Sequence, residues 1–89
     1  MKIQISKRFV KDTKKIADSR ILAKIRRVLE HTQAAESISE ITAVEEMSGH
    51  PKFYRIKFDY RYRIGIYYDD EIVQFLRVGS REDFYKKFP

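Results

Sequence analysis

Apolar and polar residues change rhythm along this chain, and each change marks an element. Lys2 and Gln4 alternate with Ile3 and Ile5, the period of two that sends successive side chains to opposite faces of a strand. After Ser6, which is able to cap a helix, Phe9, Thr13, Ile16 and Ala17 recur at helical spacing, with Lys7, Lys11, Lys14 and Lys15 off that stripe. This predicts a first helix ending near Ala17. Ser19 is a second capping candidate, and Ile21, Ile25, Val28 and Leu29 continue a helical stripe from which Arg20, Lys24, Arg26 and Arg27 are excluded. Two antiparallel helices joined by a tight turn are expected.

The pattern weakens from Gln33 to Ser48, where Ile38, Ile41, Val44 and Met47 stand among poor helix formers; a loop with a short irregular helix is expected there. Ser48-Gly49-His50-Pro51 reads as a turn. Period-two alternation then returns over 53–59, 62–68 and 71–79, and the connections at Asp59-Tyr60-Arg61 and Asp69-Asp70 are short enough for an antiparallel meander. Gly79-Ser80 ends the last strand, and 81–88 has room for a terminal turn or short helix. The predicted architecture is α+β: an N-terminal strand, two helices, then a three-stranded meander in one sheet, with the helices on one face.

The alternation also sorts the meander's side chains. Tyr54, Ile56, Phe58 and Tyr60 fall in one phase, continued by Tyr62, Ile64, Ile66 and Tyr68, and this is the face expected to pack. Phe53, Arg55, Lys57 and Asp59 fall in the other, continued by Arg61, Arg63, Gly65 and Tyr67. The second face is cationic and expected to be open to solvent.

Length and charge sharpen this picture. Eighty-nine residues are too few to divide into two cores, so residues 1–89 are expected to form one domain. The absence of cysteine rules out disulfide bonds and thiolate chemistry, and fits a reducing cytoplasm. Apolar runs are too short for a membrane span or a secretion signal, so a soluble cytoplasmic protein without membrane contact is expected. The net charge of +6 is unevenly spread: residues 1–33 carry ten basic and three acidic side chains, 34–50 four acidic and no basic, 51–89 nine basic and six acidic. Such a surface attracts polyanions, either nucleic acid or an acidic protein segment.

Most catalytic arrangements are missing. His31 and His50 are far apart and the carboxylates lack ligand spacing, so no metal or other cofactor is expected. The serines lack partners for a nucleophilic triad, and three glycines make no phosphate-binding loop. What remains is a cationic surface with tyrosines. That surface suits RNA cleavage by the 2′-hydroxyl, in which arginine and lysine stabilise the charge gathering on phosphorus and a phenol flanked by cations takes the proton.

Three segments, Tyr54-Arg55-Ile56-Lys57, Tyr62-Arg63-Ile64-Gly65 and Arg77-Val78-Gly79-Ser80-Arg81-Glu82-Asp83-Phe84-Tyr85, resemble in order and spacing the signature of the RelE/ParE toxin superfamily of bacterial toxin–antitoxin systems. The resemblance runs through the whole chain, with the specific motifs in its C-terminal half. It implies a microbial-ribonuclease-like fold and, for the RelE branch, a metal-independent endoribonuclease that cuts messenger RNA in the ribosomal A site. Carried over residue by residue, it implies Tyr85 as base, Arg63 and Lys57 as phosphate and transition-state ligands, Arg81 as stabiliser of the departing 5′-oxygen, and Arg55 as a residue orienting RNA. Arg61 and Tyr67, on the same face, complete the RNA-binding set. The implied partners are mRNA on the ribosome and a cognate antitoxin, an acidic and partly disordered segment that covers the site. The chain departs from many relatives at Ser80, where they have His, and at Arg55, where the RelE branch has Lys; the proton donor to the leaving oxygen is left open.

Alternative readings stand beside these. A ParE-type toxin, without chemistry of its own, would act on DNA gyrase through protein contacts, and a degenerate member would only bind. Arg55, Lys57 and Arg63 would then be a solvated sheet face, paired with Asp59 or Glu71. Phe88 is expected to pack the chain end onto the sheet.

Overall fold

The computed structural model describes residues 1–89. One five-stranded sheet organises the chain, built from β1 (Lys2–Ile5), β2 (Val44–Glu46), β3 (Phe53–Lys57), β4 (Tyr62–Asp69) and β5 (Ile72–Ser80) in the order β1-β5-β4-β3-β2. β3, β4 and β5 form the expected meander, β1 runs parallel beside β5, and β2 adds an antiparallel edge. Helices α1 (Lys7–Lys14) and α2 (Ser19–Ala34) follow β1, a 3-10 helix spans Ile38–Glu40, and α3 (Arg81–Lys87) closes the chain. The α+β class and the two-helix, three-strand order agree with the sequence reading. No helix is long and apolar enough to cross a membrane.

The differences have local causes. β2 replaces part of the expected loop, because Val44, Glu45 and Glu46 pair with Ile56, Arg55 and Tyr54 in a strand too short to show a period. α1 stops at Lys14, three residues early, and α2 is capped by Asp18, whose carboxylate accepts the Arg20 N–H at 2.9 Å, rather than by Ser19. β3 ends at Lys57, two residues early, since the turn that follows curls away from the ladder.

Phe9, Ile16, Ile21 and Ile25 of the helical segment meet Ile56, Ile64, Ile66, Val73, Phe75 and Val78 of the sheet in one core. Phe75 and Val78 share that face although three residues apart, because the β4–β5 register shifts beside Gly65 and Leu76 is the extra residue on β5. Tyr54, Tyr62 and Tyr68 pack against this core as expected, whereas Tyr60 does not; it is 74 % exposed in the β3–β4 turn.

The opposite face is not open along its length. α3 is capped by Ser80, whose hydroxyl accepts the Asp83 N–H at 3.4 Å, and carries Glu82 and Asp83 in its first turn and Lys86 and Lys87 in its last, the order that complements the helix dipole. Phe84 and Phe88 are buried beneath it, and the Phe88 ring packs edge-on against Phe53. Gly65 makes this seat: a Cβ there would lie 2.5 to 2.7 Å from three Phe88 ring atoms. Gly65→Ala is therefore expected to push Phe88 out and destabilise the domain by about 1–3 kcal/mol, the usual penalty of overpacking. A urea midpoint equal to the wild-type value would refute this account of the seat.

Candidate functional site

The β3–β4–β5 register sets out the cationic face. Arg55 lies opposite Gly65, which lies opposite Arg77; Lys57 lies opposite Arg63, which lies opposite Gly79. Because Gly65 has no side chain, α3 settles against the sheet there and delivers Tyr85 beside Arg55. The Arg55 Nη1 donates to the Tyr85 hydroxyl oxygen at 3.3 Å, and Tyr85 itself stays 49 % exposed. The same guanidinium reaches back to Glu45 on β2, with Nη2 3.1 Å from the carboxylate. Glu45 was missed in the sequence, where Asp59 and Glu71 were the expected acidic partners; its signal would have been an acid in register with Arg55, invisible until β2 is known.

Arg63 occupies a different environment from the one expected. It is only 6 % exposed, and its Nη1 donates to the carbonyls of Asp59, Tyr60 and Tyr62 at 2.9, 3.2 and 3.0 Å. The tight turn leaves these carbonyls without ladder partners, and a buried carbonyl needs a donor. Arg63 thus holds the turn rather than standing in solvent. Its Nε is buried without an acceptor.

The turn is pinned from two further sides. The Asp59 carboxylate accepts Lys24 Nζ from α2 at 2.7 Å and the Arg61 N–H at 2.9 Å, and the Arg81 N–H donates to the Arg61 carbonyl at 2.7 Å. Hydrogen bonding from Lys24 and the Arg61 N–H, with the Lys24 charge, holds the Asp59 carboxyl below its ordinary pKa. Arg61 projects from this turn exposed and without an ion pair. Arg81, at the start of α3, has its guanidinium carbon 4.9 Å from the centroid of the Tyr60 ring and its Nε 3.5 Å from Glu82.

Lys57 is exposed and unpaired; it also lines a cavity of about 440 Å³ between α2 and the end of β3, together with Lys24, Arg27, His31 and Phe58. Tyr67 is on the cationic side as expected, but its ring packs edge-on to Phe53 at 4.9 Å and is half-buried. At the other end of the face, Arg77 and Lys87 converge on Asp12 of α1. No group of three or more His, Asp or Glu side chains is arranged to hold a metal ion. The structure therefore brings Arg55 and Tyr85 together, ties Arg81 at the start of α3 to the turn that carries Arg61, places Lys57 at the strand end, and withdraws Arg63 and Tyr67 into packing.

Residues 3–85 match the family described as ParE toxin of type II toxin-antitoxin system, parDE. The chain is 32 % identical over 90 residues to the toxin RelE3 of Methanocaldococcus jannaschii, with all of both chains aligned. It superposes on a chain of the RelB–RelE antitoxin–toxin complex from Methanococcus jannaschii with a TM-score of 0.82 at 30 % identity, covering 97 % of this chain and 99 % of that one. A chain of the E. coli DinJ–YafQ toxin–antitoxin complex shares the fold, with a TM-score of 0.75 at 15 % identity over 93 % and 94 % of the two chains.

Proposed function

The chain belongs to the ParE toxin family of type II toxin–antitoxin systems, and from that premise we propose that it is an endoribonuclease toxin that cuts messenger RNA on the ribosome with its own side chains. The observation that carries this reading is the pairing of the half-exposed Tyr85 with Arg55 on the cationic side of the sheet. A tyrosine held by a guanidinium, on a side of the sheet that carries further cations, has the parts for 2′-hydroxyl attack: the Tyr85 phenolate oxygen takes the 2′ proton as the 2′-oxygen bonds to phosphorus and the bond to the 5′-oxygen breaks. With water supplying a proton to the departing 5′-oxygen, the products are a 2′,3′-cyclic phosphate and a 5′-hydroxyl. Lys57, Arg61 and Arg81 gather around the phosphoryl oxygens and stabilise the charge that grows there, Arg81 on the side of the departing oxygen. Arg55 orients the phenol and the RNA. Arg63 acts as a positioning residue, since the turn it holds carries Arg61 and anchors Arg81 through the Arg61 carbonyl.

The partner under this reading is a cognate antitoxin whose acidic segment folds over the basic surface; relatives in this fold were solved in antitoxin complexes. The withdrawal of Arg63 into the turn is the observation that favours a second reading, a gyrase-directed toxin without nuclease chemistry. Expression of the wild type beside Arg81→Ala and Tyr85→Phe, followed by primer extension on cellular messages and a supercoiling assay, separates them. Message breaks that vanish in both variants support the nuclease. Intact messages with inhibited gyrase overturn it.

A further inference from the structure

Tyr60 is the most exposed large apolar side chain of the protein, at 74 %, yet the turn around it is held from several sides. The turn that carries it is tied by Arg63 to three carbonyls, by Lys24 to the Asp59 carboxylate and by the Arg81 N–H to the Arg61 carbonyl. A ring with no packing role needs no such support, since exposed aromatic rings on turns otherwise cost ordering entropy and return little burial. One side of the ring is already set: the Arg81 guanidinium lies over it at 4.9 Å, within cation–π range. The next residue along the turn, Arg61, is exposed and unpaired.

A rigid ring, backed by a guanidinium and followed in the turn by an unpaired cation, is the combination that receives an unpaired base whose phosphate the cations hold. We infer that Tyr60 and Arg81 form a stacking site for one unpaired nucleobase of single-stranded RNA, the base stacking on Tyr60 while Arg61 and Arg81 hold its phosphate. A protein contact is less well matched, because the large exposed aliphatic side chains, Ile5, Val10 and Leu22, lie on β1, α1 and α2 and none belongs to this turn. The site extends the nuclease reading above and rests on it: it fixes the register of the message against Tyr85 by holding a base beside the cut.

The test is cleavage of a defined message on programmed ribosomes, with wild type, Tyr60→Ala, Tyr60→Phe and Tyr60→Trp titrated against the rate. Tyr60→Ala is expected to raise the half-saturating toxin concentration about 5- to 100-fold, the range that loss of one stacked base produces, while Phe and Trp restore it. An abasic nucleotide walked along the message should cost the wild type a similar factor at one position and leave Tyr60→Ala unaffected there. Melting temperatures within about a degree of wild type are expected for all variants, because so exposed a ring contributes little to folding. Wild-type titration by Tyr60→Ala, or abasic and Tyr60→Ala defects that multiply, overturns the stacking site and leaves the nuclease standing. A wild type that leaves the message uncut overturns the nuclease and the stacking site together. A Tyr60→Ala defect confined to antitoxin binding assigns the ring to a protein contact and also overturns it.

Discussion

Under the nuclease proposal, Tyr85→Phe is expected to lower the single-turnover rate of message cleavage by about 10²–10⁴-fold, the contribution of a positioned general base, with little change in melting temperature. The substitution removes one oxygen and leaves the ring. That ring stays edge-on against Phe84, 5.2 Å between centroids, and half of it faces solvent, so the fold does not depend on the hydroxyl. Arg55 loses its contact with Tyr85 but keeps its ion pair with Glu45, so the guanidinium stays where it was. The comparison with Tyr85→Ala then decides what the residue does. A tyrosine that merely stacks a base is replaced well by phenylalanine and poorly by alanine. A tyrosine that accepts a proton is replaced by neither. Near-wild-type cleavage by Tyr85→Phe would remove the base from the scheme, and the pairing with Arg55 would then be a device for seating α3.

The meander was legible because its alternation is regular: the phase of Tyr54, Ile56, Ile64 and Ile66 places all four against the core, as the structure has them. The opposite phase was legible only as a set of residues. Sequence gives the side of the sheet on which Arg55, Arg63 and Tyr67 start, but not where their long side chains finish. Arg63 bends into the turn because that turn exposes carbonyls to it, a demand that depends on backbone course rather than residue pattern. Tyr60 shares the phase of the core tyrosines yet leaves it, since β3 stops at Lys57 and alternation has no meaning past the end of a strand. Glu45 escaped notice for a related reason: three residues of β2 carry no readable period, and the acid that meets Arg55 lies on them. Ser80, read in the sequence only as the end of the last strand and a departure from the resemblance, caps α3 and so has a structural use of its own.

Asp12→Ala is the substitution expected to cost most in stability. The Asp12 carboxylate is 4 % exposed and accepts Arg77 Nε and Nη2 at 2.9 and 3.2 Å and the Val78 N–H at 3.0 Å, with Lys87 Nζ 3.6 Å away. It satisfies an amide of β5 beyond the end of β1, and it ties α1 to both the sheet and α3. Truncation leaves the half-buried Arg77 without a counter-charge and Val78 without an acceptor, a loss of roughly 3–5 kcal/mol for breaking a buried pair. Against a total of about 4–13 kcal/mol for a domain of this size, that is a large share. The melting temperature should fall by more than about 10 °C. Replacing the pair together, as Asp12→Leu with Arg77→Met, should cost less than Asp12→Ala alone, because the Arg77 charge goes with its partner and only the more exposed Lys87 is left unpaired.

The same carboxylate sets a pH dependence. Burial pushes its pKa up, but hydrogen bonds from Arg77 and the Val78 N–H, with the charges of Arg77 and Lys87, outweigh burial and hold it below the ordinary 3.8. The unfolded chain therefore binds this proton more readily than the native one. The contribution is complete above about pH 5, where the unfolded carboxyl is ionised, and is lost as pH falls through the lower native value. Urea midpoints measured from pH 6 downward should converge for wild type and Asp12→Asn as acid is approached, the wild type falling more steeply. Asp18 and Asp59, held low by Arg20 and Lys24, titrate alike in both proteins and cancel from that difference. Parallel curves down to the acid limit would mean that the carboxylate's charge adds nothing to the hydrogen bonds an asparagine keeps, and the ion network would cease to explain how α3 is held over the sheet.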